Sequence, residues 1–146
     1  MYPSHIDPIF FAELALVFGG CIFSFWKGGF PERIGGGVVL ANTLLMLLLG
    51  ASMASGLGPV VELVVDGLTA VALLAVVLVF GSLWLGGAML LYAVQFTLHA
   101  FYFVTERAPD KLHAIVNNVD FTGIIWCLVI GTAVAWRRRI KSAAVA

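Results

Sequence analysis

Between Val60 and Val104 the chain carries almost nothing but hydrocarbon side chains. Tyrosines aside, the ionisable residues in that run are Glu62, Asp66 and His99. A single helix of this length would reach roughly 68 Å at about 1.5 Å per residue. The hydrocarbon core of a bilayer is only about 30 Å thick. The run must therefore turn back on itself as two spans, and Gly81-Ser82 is the place where the sequence permits a turn. That pattern predicts an integral membrane protein.

Composition agrees. Hydrophobic residues make up 62% of the chain and charged residues 11%, against roughly one-quarter charged in a soluble domain. Formal charge balances to zero, so nothing points to a nucleic-acid partner. Residues 1–146 are expected to form one helical-bundle domain, since the length leaves no room for a separate soluble one. Cys21 and Cys127 both lie in apolar segments at different expected depths. They read as small packing residues and not as a disulfide.

Five spans are predicted, at about 9–26, 34–54, 60–80, 83–104 and 120–136, giving an all-α membrane bundle. The first lacks a basic lead and a small-residue cleavage site, so it reads as a retained span and not a removed signal. Polar turns are expected at Lys27–Arg33 and Ser55–Pro59, and a longer loop from Thr105 to about Val119. Within that loop, Leu112–Val116 suggests a short interfacial helix, with Asn117-Asn118 turning the chain into the fifth span.

Orientation follows from the basic residues. Lys27 and Arg33 follow span one, and Arg137, Arg138, Arg139 and Lys141 follow span five. With five spans these two places share a side, and the positive-inside rule makes it cytoplasmic, leaving the amino terminus outside. Trp26, Trp84 and Trp136 all fall at that same level, as an interfacial aromatic belt requires. The expected location is a bacterial inner (cytoplasmic) membrane, crossed several times.

Helices in lipid associate through close packing and interhelical hydrogen bonds. Small residues four apart mark faces able to approach closely: Gly123, Cys127, Gly131 and Ala135 in span five, Ala15 and Gly19 in span one, Gly37 and Ala41 in span two. Such faces serve either packing within the bundle or contact with a partner subunit or second copy. The Gly35-Gly36-Gly37 run is no phosphate loop, because no strand precedes it and no Lys-Ser/Thr pair follows.

Ionisable residues inside spans are costly, and they mark the places where chemistry is to be sought. Glu13, Asp66 and His99 fall roughly 6–9 Å below the outer surface at about 1.5 Å per residue. Glu62 shares a helix face with Asp66, and Gln95 shares one with His99. The candidate site is thus Glu13, Glu62, Asp66, Gln95 and His99, with Asp66 foremost, in a shallow pocket suited to a cation, a proton or a polar headgroup. The competing explanation is structural. Glu13, Glu62 and Asp120 would then favour helix amino termini, and His99 would pair with Asp66. Asn42, in mid-span two, is expected to make an interhelical hydrogen bond. His113 is expected to be a solvated loop residue. No ligand spacing specifies a metal, and a lone in-span histidine cannot supply the paired axial ligands of a b-type haem. Neither metal nor cofactor is expected.

Phe30-Pro31-Glu32-Arg33 after span one, Val65-Asp66 in span three, Trp84 after the inner turn and Gln95 with His99 in span four together resemble small inner-membrane proteins of alphaproteobacteria. That resemblance implies location and topology and carries no activity. Glu13, early in span one, is also similar to the glutamate with which small multidrug transporters exchange protons for cations; the extra span and the missing third-span motif set this chain apart. No catalytic signature occurs, so an enzyme is not expected. The sequence favours an accessory or assembly component of a membrane complex, in contact with lipid and with a partner protein or further copies of itself. The alternative is a small transporter or ion- or ligand-binding protein using the polar cluster.

Overall fold

The structure is a computed structural model and describes residues 8–50, 58–108 and 110–144. The described residues form five helices: α1 (Pro8–Lys27), α2 (Phe30–Gly50), α3 (Gly58–Phe80), α4 (Leu83–Val104) and α5 (Lys111–Ala143). Each is long and apolar enough to cross a bilayer. A helix suits lipid because it satisfies its own backbone hydrogen bonds where no water can. Large apolar side chains such as Leu48, Leu68, Leu78 and Leu83 face outward. That surface is untenable in water and ordinary against hydrocarbon.

Each helix packs on the next in chain order and α5 returns to α1, so the five close a ring; α2 also touches α5 across it. The core inside the ring is built from Val17, Cys21, Val39, Leu73, Leu85, Tyr92, Ile124 and Leu128. Glycine makes the tight part possible. A Cβ on Gly35 would stand 2.4 Å from Leu85 Cδ2, and one on Gly131 2.7 Å from Trp84 Cβ. Gly123 faces Leu91, and Cys127 Sγ lies against Gly87. The small-residue stripe of α5 is therefore an internal seam with α4. The pair on α1 behaves differently: Ala15 is exposed and a Cβ on Gly19 would meet nothing within 4 Å.

Several boundaries move. The first turn shrinks to Gly28-Gly29, because Pro31 is compatible with the first turn of a helix. Glu32 Oε2 accepts the Gly29 N–H at 3.0 Å, satisfying a donor that the helix start leaves open. Ser24 Oγ also donates to the Glu32 carbonyl across the α1–α2 turn. Gly81 turns α3 into α4 with a φ of +63°, a left-handed conformation that favours glycine. The predicted Ser55–Leu57 turn and residues 51–54 of the predicted second span lie outside the described residues.

The largest correction concerns the fifth span. The expected loop to Val119, with a separate Leu112–Val116 helix and a turn at Asn117-Asn118, is instead the first turns of one helix beginning at Lys111. Asp110 starts it by accepting the His113 N–H. Asparagine's preference for turns yields to that cap and to packing against α4. The helix also runs past Trp136 to Ala143. Its 33 residues extend about 50 Å, more than a bilayer core needs. At that end Arg139 donates to the Lys27 carbonyl, and Lys27 Nζ lies 4.3 Å from the Trp26 ring centroid and 5.0 Å from that of Trp136. The basic residues after α1 and on the end of α5 thus meet at one end of the bundle.

The two kinds of glycine give a direct test. Gly131→Ala should cost about 1–3 kcal/mol by overpacking against Trp84, lowering the thermal unfolding midpoint in detergent. Gly19→Ala should be neutral or stabilise by up to about 1 kcal/mol through helix propensity. Equal midpoints for the two variants would contradict the packing.

Candidate functional site

In the half of the bundle away from the basic end, polar side chains from neighbouring helices converge. Asp66 on α3 is 2% exposed. Its Oδ2 lies 2.8 Å from His99 Nδ1 on α4. Its Oδ1 accepts from Asn42 Nδ2 on α2 at 3.4 Å. The same amide group donates to Thr69 Oγ1 at 2.9 Å, and Thr69 in turn donates to the Val65 carbonyl one turn back. An unpartnered carboxylate at this depth would be costly. Donors from α2 and α4 partner this one.

A second set of contacts ties α5 to α4. Gln95 Nε2 donates to Asn117 Oδ1 at 2.8 Å. The His113 ring stands 5.3 Å from His99 and meets the edge of Tyr102 at 4.8 Å, centroid to centroid. Tyr102 donates its hydroxyl to Asp110 Oδ1 at 2.7 Å, and Arg107 pairs with Asp110 Oδ2 at 2.8 Å. The His113 N–H, then the Tyr102 hydroxyl, hold the Asp110 carboxyl below the usual carboxylate range.

Part of this polar set borders a cavity of about 420 Å³. Glu13, Asn42, Glu62, Asp66, Gln95 and His99 all line it, together with His113, Asn117 and Asn118 of α5. A smaller cavity of about 380 Å³ lies beside it toward Glu106 and Arg107 and shares Glu62, His99 and His113 as a wall. The sequence-predicted residues are thus brought together on one cavity wall. His113, Asn117 and Asn118 were not among them. Their signal was the spacing of four in His113, Asn117 and Phe121, which puts all three on one helix face and was obscured by reading a loop there.

The helix-terminus explanation loses one member. Asp120 lies more than two turns inside α5, is buried, and leaves Oδ2 without a partner among the described residues. Tyr92 Oη and Gln95 Oε1 are likewise buried and unpartnered among them. No three histidine, cysteine or acidic side chains among the described residues stand close enough to hold a metal ion. Cys21 and Cys127 are free thiols. No protein-family model, curated protein or solved structure matches the chain.

Two outcomes follow. Asp66→Leu strands His99, takes one of two acceptors from Asn42 and should cost about 1–3 kcal/mol, whereas Glu62→Gln, at a half-buried position, should leave the midpoint nearly unchanged. Matching, wild-type-like midpoints would deny Asp66 its role. Asp110→Ala should lower the thermal unfolding midpoint as a lost helix cap. Because its pKa is lowered on folding, Asp110 contributes stability above the usual carboxylate range and loses it as pH falls through the lowered value. The difference between wild type and Asp110→Ala, followed by thermal unfolding against pH, should therefore shrink in acid.

Proposed function

We propose that this multi-span protein is a membrane-embedded binding protein, holding a small polar ligand in the cavity around Asp66 and His99. The carrying observation is a polar cavity of about 420 Å³ walled by all five helices, inside a ring whose other half is closed by glycine packing. That volume lies within the usual range for small-molecule sites. Polar groups at this depth are retained at a cost, and a bundle needing only to stand in the membrane would fill the space with hydrocarbon. The positive-inside rule puts the basic end in the cytoplasm of a bacterial inner-membrane protein, so the cavity belongs to the outer leaflet side. A site in one half of the bundle suits binding or presentation better than flux, which needs a path from both faces.

A second reading, an accessory or assembly subunit, is favoured by one observation. Between α1 and α5 runs an outward groove lined by Ala15, Leu16, Gly19, Phe23 and Trp126, where the open space at Gly19 would admit another helix.

The deciding experiment is purification in mild detergent, with mass spectrometry of both small molecules and proteins retained. Leu14 lines the cavity outside the hydrogen-bonded set, so Leu14→Trp should block the space and spare the network. The expected result is a non-lipid small molecule carried by the wild type and lost from Leu14→Trp. The same small-molecule content in both, with a near-stoichiometric protein partner released by Gly19→Phe, would replace binding with assembly.

A further inference from the structure

From the chemistry of the cavity wall we infer that the ligand is a small organic cation, an ammonium group with N–H donors on an apolar body. This rests on the reading that the cavity binds a ligand and narrows it to a class.

Charge is the first ground. Among the described residues the wall carries the carboxylates of Glu13, Glu62 and Asp66, the imidazoles of His99 and His113, and no lysine or arginine. The nearest arginine on the neighbouring cavity's wall, Arg107, is paired with Asp110. An anion entering this space would meet repulsion that a low dielectric strengthens, and a cation the reverse.

The hydrogen-bond inventory is the second, independent ground. Gln95 is 7% exposed and belongs to the wall. Its Nε2 is committed to Asn117 Oδ1, which assigns Oε1 as the remaining acceptor, and that oxygen has no partner among the described residues. Buried acceptors without donors are uncommon in folded proteins and call for an explanation. What Gln95 Oε1 lacks is a hydrogen-bond donor, and an ammonium can supply up to three N–H groups.

Size and shape decide between an ion and a molecule. At roughly 30 Å³ per water, the 420 Å³ cavity matches about fourteen waters, far more than a bare cation fills. The absence of any three-ligand metal cluster among the described residues points the same way. Phe10, Leu14, Met46, Leu47 and Phe121 line the same cavity and give the body of the molecule apolar contact.

The test uses three probes of one shape: benzylammonium, benzyl alcohol and benzoate, titrated calorimetrically at neutral pH into the full chain in nanodiscs. Benzylammonium should bind about tenfold or more tightly than benzyl alcohol, with benzoate weakest. Glu62→Gln and Leu14→Trp should each weaken benzylammonium by about tenfold while the protein keeps its thermal midpoint. Benzoate or benzyl alcohol binding as well as benzylammonium, and lost in Leu14→Trp, would overturn the cation and leave the binding reading standing. Benzylammonium binding that Leu14→Trp does not change would put it outside the cavity and overturn this assignment. Failure of all three probes on folded protein would overturn the cation class, and the co-purified small molecule then judges the binding reading by itself.

Discussion

A carboxylate surrounded by helices in a bilayer must be answered by donors, and in this protein the carboxylate is Asp66. His99 reaches it from α4 and Asn42 from α2, while Thr69 on its own helix shares the Asn42 amide. The arrangement sets α2, α3 and α4 in one register. Sliding any of the three by a turn, about 5.4 Å, would leave a polar group in hydrocarbon. Lipid gives helices little hydrophobic reason to associate, so a polar contact of this sort carries specificity that apolar contacts lack.

Around that contact the bundle divides into two kinds of interior. Toward the basic end, Gly35, Gly36 and Gly131 let α1, α2, α4 and α5 approach until side chains from facing helices fill the space. Toward the other end the ring is occupied by long polar and aromatic side chains that do not fill it. Both follow from residue size. Glycines draw the backbones together in one half, while glutamate, glutamine, asparagine and histidine hold them apart in the other. The cavity is the consequence of a closed ring that is packed at one end only.

Much of the site was readable before the fold. Counting 1.5 Å per residue along oppositely directed spans brought Glu13, Asp66 and His99 to one level, and the helices do carry them to one cavity. Asn42 was legible only as a donor seeking a partner; that it completes the Asp66 set depends on how α2 rotates against α3. His113 and Asn117 were hidden because Asn117-Asn118 suggests a turn. The cap from Asp110 and the packing of His113 between His99 and Tyr102 outweigh that local preference. Asp120 was misplaced for the same reason, since its position relative to a helix start depended on where α5 begins.

Five apolar segments of bilayer length, the gathering of basic residues at one end and the depth of each polar side chain belong to the sequence by itself. They rest on hydropathy, helix rise and charge, quantities that add along a chain without reference to neighbours. Tertiary structure alone decided that the helices close a ring, that the α5 stripe packs inward against α4 while Gly19 on α1 faces outward, and that Gln95 Oε1 has no donor among the described residues. The reason is rotational. Sequence places a residue along a helix axis, but which face turns inward is settled by close packing and hydrogen bonds between helices.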